Sequence, residues 1–107
     1  MEAGGRIEQD KHKTAAILRK WLQKDGGSII ALFPETPAGT HGQYVMSYEH
    51  LGHNGAANYG SVIVRTVLAT KEEYRDLKCE LEALGYNLEV CTRQTAKMRE
   101  KCHRRAE

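Results

Sequence analysis

The spacing of apolar positions changes along the chain, and each change marks an element. From Asp10 to Lys24, Ala15, Leu18, Trp21 and Leu22 recur at helical spacing with Ile17 beside Trp21, and Lys11, Lys13, Arg19, Lys20 and Lys24 fall largely elsewhere. That pattern predicts an amphipathic basic helix, capped by Asp10 and stopped by Gly26-Gly27. Ser28–Phe33 (SIIALF) is a short, continuous apolar run ended by Pro34, the signature of a buried strand. Glu35–Gly42 is turn chemistry. Gln43–His50 then alternates, with Tyr44, Met46 and Tyr48 on one face and Val45, Ser47 and Glu49 on the other, which predicts a second strand. Leu51–Gly60 holds three Gly and two Asn and reads as a loop. Ser61–Leu68 is β-branched and reads as a third strand.

The sharpest local signal is Thr70-Lys71-Glu72-Glu73, a capping box opening a helix over 71–84. Tyr74, Leu77, Leu81 and Leu84 form its apolar stripe, and Gly85 ends it. Tyr86, Leu88 and Val90 alternate with Asn87, Glu89 and Cys91 to give a last strand over 86–91. The expected fold is therefore a small single α+β domain of order α-β-β-β-α-β. Two helices on one face of about four mostly antiparallel strands is the economical arrangement. The final crossover leaves room for one parallel pair. Residues 1–27 form the first helix and its linker, 28–91 the core and 92–107 a tail whose removal leaves the core intact. A core of that size buries little surface, so docking of the first helix or homodimerisation would help it.

Charge sharpens this division. Residues 1–27 carry a net +2, residues 28–91 a net −4 and residues 92–107 a net +4. The total, +2 over 107 residues, names no partner. No apolar run approaches the ~20 residues of a membrane span, and the acidic N-terminus lacks the apolar centre of a signal peptide. Cys79, Cys91 and Cys102 are odd in number and match neither a zinc pair nor a CxxC, which predicts reduced thiols in the cytoplasm.

Three segments, ALFPE at Ala31–Glu35, MSYEHLGHNGAANY at Met46–Tyr59 and ATKEEYRDLKCELEALGYNLEV at Ala69–Val90, resemble a family of short uncharacterised proteins from bacterial genomes and mobile elements. The resemblance covers about three-fifths of the chain. It implies a bacterial or phage setting and a small α+β domain, and it brings no activity and no functional residue with it.

Candidate chemistry concentrates at residues 41–60, which hold three of five His, three of five Tyr and two of three Asn around glycines. Tyr44, Tyr48, His50, His53, Asn54 and Asn58 are the candidate contacts for a protein or small ligand. His50-x-x-His53 could aim two imidazoles at one metal with His41 or Glu49 as a third ligand, yet no carboxylate is placed securely to complete a zinc site. The same side chains could supply a general base without metal. Structural roles at the strand end and in the loop are the plainer reading. The glycines there match no phosphate-loop motif and read as positive-φ turn positions. No cofactor is implied. The tail offers Arg93, Lys97, Arg99, Lys101, Arg104 and Arg105 as phosphate contacts, without an aromatic for base stacking. The expected function is a non-enzymatic binding or regulatory module, with a His-dependent hydrolase or nuclease and a nucleic-acid-associated protein as alternatives.

Overall fold

A computed structural model of the chain describes residues 13–39, 43–50 and 53–106, the side chains of His53 and Asn54 excepted. The run Ala15-Ala16-Ile17-Leu18 is buried on every side, and this decides the architecture. An amphipathic surface helix would leave part of that run in water. A central strand with helices on both faces buries all of it, and such strands read as continuous apolar runs. Thr14–Trp21 is accordingly strand β1, not the predicted helix. Local propensity is a weak prior and burial overrides it. Gly26 and Gly27, expected to stop a helix, instead adopt φ of 112° and 73° in the turn that leads into the next strand.

The following strands are β2 (Ile29–Pro37), β3 (Tyr44–Glu49) and β4 (His53–Asn58). They extend the sheet antiparallel in the order β4-β3-β2-β1. The other edge of β1 is shared. Strand β5 (Thr66–Leu68) runs antiparallel to Arg19–Trp21, and β6 (Leu88–Cys91) runs parallel to Thr14–Ile17. Among the described residues six strands therefore form one sheet, two more than the sequence predicts.

Three helices cover it. Helix α1 (Tyr59–Val64) and α3 (Ala96–Ala106) lie on one face, and α2 (Lys71–Ala83) lies on the other. The expectation of both helices on one face is thus corrected. Period-two alternation sorts the strands between two cores. Ala16, Leu18, Ala31, Phe33 and Tyr48 meet Leu77 and Leu81 of α2. Ile17, Ile30, Leu32, Val45 and Ala57 meet Val62 of α1 and Cys102 of α3.

Further expectations change. The loop predicted at 51–60 contains β4, where Gly55 sits in the strand and its carbonyl accepts from the Ser47 hydroxyl at 3.1 Å. Gly55 and Gly60 do not have positive φ. The strand predicted over 61–68 begins as α1, because the Asn58 side chain caps it by accepting from the Ser61 amide at 3.0 Å. Arg19, expected on a solvated face, pins this unit to β1 by donating to the Thr66 hydroxyl at 2.7 Å and the Thr66 carbonyl at 2.8 Å. Finally, the tail is an ordered helix with Cys102 fully buried beneath it.

Candidate functional site

The β3–β4 hairpin carries the ligand candidates, and its register separates them. Tyr44 lies opposite Asn58 at one end, and Glu49 lies opposite His53 at the other. At about 3.3 Å per residue the ends are roughly 17 Å apart. The described residues of the 41–60 segment therefore do not converge on one site. His41 and Gly52 lie outside the described residues, as do the side chains of His53 and Asn54.

At the His50 end, β3 finishes beside α2. Tyr48 is only 3% exposed. Its hydroxyl donates to Glu80 Oε2 at 2.5 Å, and the other carboxylate oxygen, Glu80 Oε1, meets His50 Nδ1 at 2.8 Å. Glu80 thus orients an imidazole that is itself largely exposed. A cavity of about 450 Å³ adjoins it, lined by Ser28, Ile29, Glu49, His50, Glu73, Asp76 and Leu77. The Glu49 carboxylate is engaged by the Trp21 indole N–H at 2.7 Å. Glu73 accepts from Lys20 at 2.8 Å and from the Thr70 amide at 2.9 Å. The Lys20 hydrogen bond first, and the Thr70 amide after it, hold the Glu73 carboxyl below the usual glutamate range. Among the described residues no three His, Cys, Asp or Glu side chains are grouped to hold a metal. Sequence reasoning missed Glu80. The signal was there in the spacing of Glu73, Asp76 and Glu80, which follows the flank of the Leu77–Leu81 stripe.

At the Asn58 end the hairpin meets the chain's last segment. Asn58 is the cap of α1, and Tyr44 is partly exposed. The Gln43 carbonyl accepts from the Tyr59 amide at 3.2 Å. The Tyr59 hydroxyl in turn accepts from the Gln94 amide at 2.7 Å, across 35 residues of sequence. A cavity of about 340 Å³ opens there, lined by Gln43, Tyr59, Gly60, Gln94, Arg99 and His103. Its walls come from both the 41–60 segment and the C-terminal segment.

Helix α3 is held down firmly. The Gln94 side chain donates to the Pro34 carbonyl at 2.8 Å, and Lys101 Nζ lies 3.6 Å from the Glu35 carboxylate. Arg105 donates to the Glu35 carbonyl. Two of the six candidate phosphate contacts, Lys101 and Arg105, are thereby anchors. The side chains of Arg93, Lys97, Arg99 and Arg104 are exposed and have no ion-pair or hydrogen-bond partner among the described residues. A third cavity of about 400 Å³ lies along the other flank of α3, where Glu35 and Glu100 face Lys97, Lys101 and Arg104.

The cysteines form no disulfide. Burial pushes the Cys102 and Cys91 thiols up, away from the thiolate a nucleophile requires. No helix among the described residues is long and apolar enough to cross a membrane. No protein-family model, curated protein or solved structure matches this chain.

Proposed function

We propose that the protein is a non-enzymatic binding module whose α3 surface holds the phosphate backbone of a nucleic acid. One observation carries this reading: four cationic side chains without partners among the described residues stand on and just before a helix that the sheet fixes in place. A charged helix that is merely solvated typically interleaves both signs. Within Ala96–Ala106 only Glu100 is acidic, against Lys97, Arg99, Lys101, Arg104 and Arg105. Mutual repulsion among these cations is relieved by a polyanion, and counterion release then drives association. Helix α3 has no aromatic to stack on a base, so contact is sequence-blind. Such a module would act in the cytoplasm of the bacterial or phage-bearing cell that its motifs resemble.

The test is fluorescence anisotropy with a short duplex over a salt series. Each phosphate neutralised adds about −0.9 to the slope of log affinity against log salt. Lys97→Glu with Arg104→Glu should make the slope shallower by about two units, with circular dichroism unchanged. Duplex binding that is absent, or indifferent to both substitutions, overturns the reading.

A second reading, His-dependent hydrolysis, is favoured by the Glu80-oriented imidazole of His50 at the mouth of a cavity. It requires that purified protein cleave an ester or phosphodiester substrate and that His50→Ala abolish the cleavage with the fold retained.

A further inference from the structure

We infer that the cavity between α3 and the start of α1 binds a phosphate monoester, either the terminal phosphate of a nucleic-acid strand or the phosphate of a free mononucleotide. The inference rests on the reading of α3 as a nucleic-acid surface, and it adds a second chemistry to it.

The first observation is the sign of the lining. Of the three cavities described above, two carry carboxylates, Glu49, Glu73 and Asp76 in one and Glu35 and Glu100 in the other. The cavity at Tyr59 has none among the described residues. Arg99 and His103 are four residues apart on α3 and so share one flank, one turn apart. The Arg99 guanidinium has no partner among the described residues. Its planar fork suits two oxygens of one phosphate. Gln43 and Gln94 add side-chain amides to the lining, and Gln94 Nε2, which donates one N–H to Pro34, carries a second.

The second observation is that the walls are fixed relative to each other. The Tyr59 hydroxyl accepts from the Gln94 amide, and Gln94 also donates to Pro34, so α1, the approach to α3 and β2 are tied at one point. A preorganised donor set loses less on binding than one that must be assembled.

The third is stoichiometry of charge. A monoester presents three terminal oxygens and up to two charges, whereas a backbone diester presents two oxygens and one charge. The fixed charge of Arg99, with the His103 ring and the glutamine amides as further hydrogen-bonding groups, suits the three oxygens of the monoester. At about 340 Å³ the cavity exceeds a phosphate and has room for the attached sugar.

The experiment uses the full chain and three probes at one salt concentration: an end-phosphorylated single strand, the same strand with hydroxyl ends, and adenosine monophosphate as competitor. The phosphorylated strand should bind about tenfold tighter, or the mononucleotide should compete, and Arg99→Gln should erase that difference. Lys97→Glu, on the other flank, should weaken both strands alike and preserve their ratio. Preference for the phosphorylated strand without competition assigns the site to strand ends. Competition without preference assigns it to a mononucleotide. Equal strand affinity with no competition overturns the inference, even if salt-dependent duplex binding persists. Conversely, mononucleotide binding that depends on Arg99, with no nucleic acid bound, leaves this site standing and removes the α3 backbone reading.

Discussion

Arg105 donates from its Nη1 to the backbone carbonyl of Glu35 at 2.9 Å, joining positions 70 residues apart in sequence. Together with Cys102, fully buried among Ile17, Ile30 and Leu32, this contact makes α3 a layer of the fold. Removing residues 93–107 therefore uncovers an apolar sheet face. The truncated protein should show a lowered denaturant midpoint and bind a hydrophobic dye, contrary to the dispensable tail that composition predicts. Arg105→Ala alone should cost little, because an exposed hydrogen bond is replaced by water. A truncated chain with native midpoint and no dye binding would show that α3 is not part of the core.

Helix α2 offers a sharper comparison of burial with capping. The Thr70 hydroxyl accepts from the Glu73 amide at 3.2 Å, and Glu73 returns to the Thr70 amide at 2.9 Å. Leu81 is fully buried against the sheet. Leu81→Ala should lower stability by ~2–5 kcal/mol, and Thr70→Ala by ~0.5–2 kcal/mol. Urea denaturation of both variants measures the two effects. Equal losses would mean that the stripe does not carry the helix.

How far these elements were legible depends on whether their signal is local. The α2 capping box, the stripe Leu77–Leu81 and the stop at Gly85, whose φ is 108°, are contained within one segment and could be read directly. So could β3, in which period two survives, and the first part of β2, a short continuous apolar run, although β2 continues through Pro34 to Pro37. Strand β1 was misread because Ala15, Leu18, Trp21 and Leu22 fit a helical stripe by spacing, while burial on both faces is a tertiary fact. Strand β4 was misread because Gly55, Ala56 and Ala57 have small side chains that say nothing about pairing with Ser47, Met46 and Val45. At the candidate sites, His50 was visible but Glu80, thirty residues away, became its partner only through the packing of α2 on β3. The cavity at Tyr59 needed β3, α1 and α3 to come together, and no single segment announces it.

Thiol chemistry should separate the three cysteines. Cys79 is exposed on α2, Cys91 is partly buried in β6, and Cys102 is buried. An alkylating reagent under native conditions should modify Cys79 promptly and Cys102 only as the protein unfolds. Mass spectrometry of the time course gives the order. Modification of Cys102 as fast as Cys79 would mean that α3 leaves the sheet readily.

Acid stability should report on Glu73. Its carboxylate is held below the ordinary glutamate range, by Lys20 first and by the Thr70 amide next. In the pH window between its folded value and the ordinary value, the unfolded chain binds more protons than the folded one. Stability therefore rises with pH across that window. The contribution is complete above the ordinary glutamate range and is lost as pH falls through the folded value. Glu73→Gln keeps an acceptor for the Thr70 amide and removes the charge. Denaturant midpoints for both proteins, taken from neutrality down to about pH 3, should differ most at neutral pH and converge in acid. Lys20→Met should reproduce the larger part of that convergence, since Lys20 is the first cause of the shift. Midpoints separated by the same amount at every pH would place the effect of Glu73 in packing or hydrogen bonding and not in its charge.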